Sequence, residues 1–237
     1  MIKNKIKIVC ISDTHTHTSD FSLPPGDILI HAGDFSKTGL PEEVATFNDF
    51  LSKQPFAYKI VIAGNHDLTF DNANYPEVLK QKIRKNKPNF PSKLHLDLLC
   101  LETKKLLTEA IYLEDNTVEI MGKTFYGSPW SPEKSMTAFK LQRGPDILEK
   151  WKKIPKNVDV LITHTPPFGI LDKTKSGINA GCEDLLREIE RIKPKVHIFG
   201  HIHDGYGMIE KNGIKYINAA SWNRRSKSMN PPICFEL

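Results

Sequence analysis

Five stretches of the 237-residue chain end in side chains that bind metals or carry protons. They are Asp13-Thr14-His15, with Thr16-His17 behind it; Gly33-Asp34; Gly64-Asn65-His66-Asp67; His164; and Gly200-His201-Ile202-His203. Each follows an apolar run, at residues 6–11, 28–30, 60–62, 158–162 and 196–199. Carboxylate, amide and imidazole donors without a cysteine among them suit divalent ions of hard to borderline character. Seven of them, Asp13, His15, Asp34, Asn65, His164, His201 and His203, are too many for one tetrahedral ion and suit two ions sharing a carboxylate. Two ions about 3.5–4 Å apart stabilise both the attacking and the leaving oxygen of an in-line displacement at phosphorus, which is hydrolysis of a phosphate ester. Each stretch alone has an ordinary alternative, because Asn, Gly and Asp mark turns and a lone buried histidine serves the core. The inference rests on all five ends reaching one edge of a sheet.

The elements that must position them are readable from periodicity. Short apolar runs bounded by Gly predict buried strands, and ligands gather beyond the carboxyl ends of parallel strands. Pro41 opens a helix with Glu42 and Glu43 at the positive end of its dipole. Val44, Phe47, Phe50 and Leu51 form its apolar face, expected to pack on the sheet that holds residues 60–62. Strand, helix and strand in this order predict a parallel sheet with a right-handed crossover. Helices are expected near 78–84 and 102–109, separated by a loop with Pro88 and Pro91. Hairpin-like strands are expected at 111–113, 118–120 and 124–126, followed by a helix ending near Trp151. A further helix carries Leu185, Leu186, Ile189 and Ile192 on one face and stops before Pro194. The remainder predicts a meander of strands at 206–209, 214–217 and 233–235. The expected fold is α/β, two mixed β-sheets packed face to face with helices outside, as one domain over residues 1–237.

Composition narrows the function classes. A content of 39% hydrophobic and 26% charged residues supports a sizeable core. No apolar run approaches the ~20 residues of a membrane span, and the first residues lead directly into a strand pattern, with no continuous apolar segment followed by a cleavage site. Cys10, Cys100, Cys182 and Cys234 are scattered without paired spacing, so reduced thiols and a cytoplasmic location are expected. The net charge of +5 owes much to a lysine-rich segment at 80–105. Without interleaved aromatics this segment predicts a solvated helical face rather than a nucleic-acid surface. The expected partner is a small phosphate ester, with no membrane and no specific nucleic acid; the oligomeric state is open.

The five stretches, taken in order, resemble the D-x-H, G-D, G-N-H-[DE], H and G-H-x-H blocks of the calcineurin-like metallophosphoesterases. The likeness extends to residues 59–66, Tyr126-Gly127-Ser128-Pro129-Trp130, His164-Thr165-Pro166-Pro167 and Asn230-Pro231-Pro232-Ile233, and so covers nearly the whole chain. It is similar in particular to the small group of metallophosphoesterase-domain-containing proteins. The resemblance implies an αββα sandwich and two divalent ions, with Mn²⁺ placed first and Fe, Zn, Co or Mg as alternatives. It implies that Asp13, His15 and His203 hold one ion, that Asn65, His164 and His201 hold the other, and that Asp34 bridges them. His66 would lie outside the metal shell as proton donor to the leaving oxygen, with Asp67 orienting it, while a hydroxide held by both ions attacks phosphorus. Some members carry Gly where this chain has His201, so His here implies a complete site.

Related Ser/Thr phosphatases have an Arg in G-D-x-V-D-R-G, where this chain reads Gly33-Asp34-Phe35-Ser36-Lys37-Thr38-Gly39. A dianionic monoester is commonly met by guanidinium groups, so phosphodiesters, plausibly nucleotide-like, are the expected substrates unless Arg143, Arg224 or Arg225 substitutes. Trp130 has two readings, a stacking face for a base or a core aromatic; His17 sits at the pocket rim or touches substrate. Two rival functions remain open, a PHP or amidohydrolase barrel suggested by Asp13-Thr14-His15-Thr16-His17, and a non-catalytic scaffold on the same fold.

Overall fold

The structure is a computed structural model that describes residues 5–19, 21–74, 93–132, 137–223 and 225–237. The helix expected at 78–84, its proline loop and Arg224 lie outside the described residues. The elements begin with β1 (Lys7–Ile11), β2 (Ile28–Ala32), α1 (Pro41–Ser52), β3 (Tyr58–Ile62) and α2 (Lys93–Lys105). Next come β4 (Ile111–Tyr112), β5 (Asn116–Ile120), β6 (Lys123–Ser128), α3 (Pro145–Trp151), β7 (Val160–Thr163), α4 (Glu183–Ile192) and β8 (Val196–Phe199). The chain closes with β9 (Gly207–Lys211), β10 (Ile214–Asn218), β11 (Trp222–Asn223), β12 (Ser228–Met229) and β13 (Ile233–Glu236).

Two mixed sheets result. One runs β13-β1-β2-β3-β4 and the other β5-β6-β7-β8-β10-β9, while β11 and β12 form a separate two-stranded ribbon. β1 to β4 are mutually parallel, with Ile8 opposite Ile28 and Ile30 opposite Ile60, and β13 lies antiparallel to β1. In the second sheet β6, β7, β8 and β10 are parallel, flanked by antiparallel β5 and β9.

Successive side chains of a strand point to opposite faces, so a strand covered on both faces reads as a continuous apolar run. Ile8, Cys10, Ile28, Ile30, Ile60 and Ile62 face the other sheet and join Phe125, Val160, Ile162 and Ile198 in the inter-sheet core. Val9, Ile11, Leu29 and Val61 take the other face, in one cluster with Val44, Phe47 and Leu51 of α1. The Phe35 and Phe47 rings stack there, 4.6 Å between centroids. On the second sheet, Leu161 and Phe199 share a cluster with Trp151 of α3 and with Leu185 and Ile189 of α4.

Two expectations are corrected. The segment from 111 to 126 is not one hairpin array: β5 and β6 pair antiparallel, but β4 joins the first sheet beside β3. The helix expected at 102–109 ends at Lys105 instead. The Asn48 side-chain oxygen accepts the amides of Thr108 and Glu109, both at 2.9 Å, and draws those residues out of the helical path.

His31 on β2 and His197 on β8 are fully buried, and each meets a threonine beside a site residue: His31 Nε2 lies 3.0 Å from Thr14 Oγ1, and His197 Nε2 lies 2.8 Å from Thr163 Oγ1. Burial lowers both imidazoles to about 3, so the folded protein keeps them neutral. Unfolded imidazole takes up a proton below about pH 6.5. Between about pH 3 and 6.5 the unfolded state therefore binds more protons, and stability drops as pH falls through that window. Each ring contributes about 1.4 kcal/mol of loss by pH 5.5. Urea unfolding of the chelator-treated protein is expected to show this acid slope, and His197→Gln is expected to make it shallower. Identical slopes would count against the assignment.

No helix among the described residues is long and apolar enough to cross a membrane. Cys10, Cys182 and Cys234 are free thiols, Cys234 exposed and the other two buried.

Candidate metal centre

The carboxyl ends of β1, β2, β3, β7 and β8 meet at one edge where the two sheets come together. The meeting is tight. A Cβ on Gly200 would lie 2.1 Å from both Asp13 Oδ2 and Ser12 Oγ, and one on Gly64 would lie 2.3 Å from Asp34 Oδ1. Only glycine permits this approach of backbone to carboxylate. Asp13, His15, Asp34 and His201 all adopt positive φ, from 45° to 69°. Non-glycine residues in that region cost of order 1–3 kcal/mol each, and such strain concentrates at functional sites. A hydrogen bond between the sheets, from the His201 amide to the Asp13 carboxylate, and one within the first sheet, from the Asp13 amide to Gly33 O at 2.9 Å, hold it in place.

One ligand atom each from Asp13, His15 and His203 lie within 4.8 Å of one another, and the same holds for Asp34, His164 and His201. A third such group joins His15, Asp34 and His66. Asn65 belongs with the second, its Oδ1 lying 2.9 Å from His164 Nε2 and 3.0 Å from His201 Nδ1. Asp34 lies between the first two groups. Its Oδ2 is 3.3 Å from His164 Nε2 and 3.9 Å from His15 Nε2, while Oδ1 accepts the His66 amide at 2.8 Å.

The hydrogen bonds fix which imidazole nitrogens are bare. A backbone carbonyl only accepts, so Nδ1–H of His15 donates to Ser36 O, that of His164 to Ala32 O and that of His203 to Trp222 O. In the neutral rings each Nε2 then carries an unshared pair. Those of His15 and His203 face each other at 3.4 Å, with Asp13 Oδ1 3.4 Å from the latter. At the other end, His164 Nε2 faces the side-chain oxygens of Asn65 and Asp34. Between His15 and His203 the unshared pairs converge and repel, which a cation removes; on the other side of Asp34 a proton on His164 serves the carboxylate, and an ion would take its place. The donor set therefore fits two divalent ions.

The electrostatics agree. Burial opposes charge on Asp34, yet the His164, His15 and His66 imidazoles hold its carboxyl well below the usual range. Burial likewise disfavours ionised Asp13, but His203 and His164 outweigh it and lower that group too. Burial lowers the His15 pKa, which favours the neutral, ligating form. For His164 burial acts in the same direction, but the adjacent Asp34 carboxylate prevails and raises it to about 10. A proton on His164 thus serves the carboxylate that an ion would serve.

Two residues singled out in the sequence are placed differently from expectation. Asp67 does not orient the His66 ring. Its Oδ2 accepts the amides of Asp34 and Gly64, and its Oδ1 accepts the amide and hydroxyl of Ser36. Burial and the Asp34 charge push the Asp67 pKa up to about 8, whereas the Ser36 and Gly64 donors pull it down. Four donors leave no position for a carboxyl proton, and the arrangement suits the carboxylate. Asp67 thus shapes the Asp34 loop from beneath. The His66 ring is instead held by Nδ1, 3.1 Å from Lys37 O, and lies nearly perpendicular to the His15 ring, 4.9 Å between centroids.

Trp130 is a core aromatic: only 8% exposed, it donates Nε1–H to Asp115 and lies beneath Lys150 Nζ, 3.8 Å from the ring centre. His17 lies flat on Trp222 at 4.1 Å, on the residue whose carbonyl holds His203. The sequence reading missed the supporting groups Ser36, Ala32 and Trp222. Each holds its histidine through a backbone oxygen, which every residue type supplies.

Two sheets joined at an edge rich in oxygen and nitrogen donors define a metallophosphoesterase. The chain belongs to the calcineurin-like phosphoesterase family, whose model it matches over residues 6–205; the family implies divalent metal ions and hydrolysis of phosphoric esters. It is 45% identical over 234 residues to human "Metallophosphoesterase domain-containing protein 1", covering 98% of this chain and 71% of that protein. A UPF0046 protein of Caenorhabditis elegans is 44% identical over 237 residues, covering 98% of this chain and 60% of that one. A crystal structure 15% identical in sequence superposes with a TM-score of 0.62 over 91% of each chain and shows the same fold. Two open sheets are not the closed barrel of PHP or amidohydrolase enzymes.

Proposed function

We propose that this protein is a dinuclear metal-dependent phosphodiesterase. The observation that carries the reading is the pair of oxygen and nitrogen donor groups clustered on either side of Asp34. Asp13, His15 and His203 would hold one ion, Asn65, His164 and His201 the other, and Asp34 would bridge them; Mn²⁺ is the ion assigned first. Bound there, the ions supply an activated water and neutralise charge on the phosphate oxygens. His66 donates the proton to the leaving oxygen: with Nδ1–H held by Lys37 O, Nε2 is the atom that carries and releases it. The construction of the centre from both sheets supports one domain, and the free thiols of Cys10, Cys182 and Cys234 support a reducing, cytoplasmic setting.

The diester preference is supported by where the guanidinium groups lie. Arg143 donates to the carbonyls of Gly181 and Ala180, and Arg225 is paired with Asp204. Neither is left free to meet the additional charge of a monoester. In Mn²⁺, kcat/KM for an aryl phosphodiester is expected to exceed that for the matched monoester by about tenfold or more, equivalent to 1.4 kcal/mol or more in transition-state binding. A clear preference for the monoester would overturn this part of the proposal.

A further inference from the structure

Asp204 stands between two clefts that both open onto His203. One, of about 430 Å³, is lined by residues 174–176 together with His201, His203 and Asp204. The other, of about 250 Å³, is lined by His203, Asp204, Asn223 and Arg225 among others. Arg225 reaches across the second cleft and places both Nε and Nη2 on one oxygen of Asp204, at 2.9 and 2.7 Å. Its backbone is fixed as well, because the Asn223 side-chain oxygen accepts the Arg225 and Ser226 amides. The guanidinium on the rim of this cleft, 63% exposed, is therefore paired with a carboxylate one residue from His203.

We propose that Asp204 determines substrate charge specificity by holding Arg225 in an ion pair, so that a dianionic phosphoryl group is not met by this guanidinium. This rests on the phosphoesterase reading above and adds the residue that selects between its substrates. Arginine presents a planar fork that matches two phosphoryl oxygens, and occupying the fork removes that recognition. Lys175 in the other cleft is a point charge on a flexible stem and does not replace it. Pairing also cancels the Arg225 charge, leaving a rim that accommodates the single charge of a diester better than the two of a monoester.

The test compares the Mn²⁺-loaded protein with Asp204→Asn, Arg225→Gln and the double variant. The readouts are kcat/KM for matched aryl monoester and diester, the dissociation constant of inorganic phosphate by calorimetry, and metal content. Asp204→Asn is expected to raise monoester kcat/KM about tenfold and tighten phosphate about tenfold, with diester kcat/KM and metal content within about twofold. The double variant is expected to lose the gain, and Arg225→Gln to leave the diester within about twofold. An unchanged monoester-to-diester ratio, a gain that persists in the double variant, or a fall in metal content with Asp204→Asn would overturn the proposal. So would a tenfold loss of diester hydrolysis with Arg225→Gln, which would mean that Arg225 already touches substrate. Failure of the unaltered protein to hydrolyse either ester, with phosphate affinity still responding to Asp204 through Arg225, would defeat the phosphoesterase reading and leave charge selection standing.

Discussion

Asp34→Asn is expected to empty both ion sites together, leaving well under one ion per chain by elemental analysis. Asp34 Oδ2 is the oxygen that faces both groups, 3.3 Å from His164 Nε2 and 3.9 Å from His15 Nε2. An amide at this position has no net charge to set against two divalent ions, and it brings an N–H₂ face where lone pairs already converge. The fold should survive, because asparagine tolerates the left-handed backbone that Asp34 adopts at φ 58°. Asp67 would still receive the residue 34 amide, a contact of backbone rather than side chain. Loss of preorganised charge stabilisation costs on the order of 10²–10³ in kcat, and loss of both ions places this variant at the upper end. Full retention of one ion per chain would show that Asp34 serves a single site.

His66→Ala is expected to do the reverse, keeping the metal content near that of the unaltered protein while lowering kcat on the order of 10²–10⁴-fold for a diester with a poor leaving group. The ring lies partly exposed at the mouth of the centre, so removing it opens no cavity in the core. Its backbone amide, which serves Asp34, remains in the variant. The loss should shrink for a good leaving group such as nitrophenolate, which departs without a proton. An unchanged kcat with the poor leaving group would remove His66 from proton transfer. Equal losses for both leaving groups would assign it to charge stabilisation instead.

Strand ends were the most legible part of this protein. An apolar run closed by a polar group is a local pattern, and the runs ending before Asp13, Asp34, Asn65, His164 and His201 all proved to be parallel strands of two sheets. The face of α4 was legible for the same reason: Leu185, Ile189 and Ile192 recur at helical spacing and are buried, and the helix stops at Lys193 before Pro194. The end of α2 was not, because Asn48, some 60 residues away, captures the amides that would have continued it. The ribbon of β11 and β12 contributes two residues a strand, too few for any period to show.

Which atoms are available to bind ions, and that two sheets would present them along one edge, was already legible in the chain. Side-chain chemistry and the period of apolar burial are local properties, carried by residue type and spacing alone. Tertiary structure decided how those atoms are used. It turned Asp67 away from His66 and under the Asp34 loop, put Trp130 in the core and His17 on Trp222, and set Asp204 to hold Arg225. It also brought His15 and His203, 188 residues apart, within 3.4 Å, and selected their bare nitrogens through the carbonyls of Ser36 and Trp222. A carbonyl accepts a hydrogen bond whatever side chain its residue bears, so only the folded path of the backbone specifies which ring nitrogen keeps its proton.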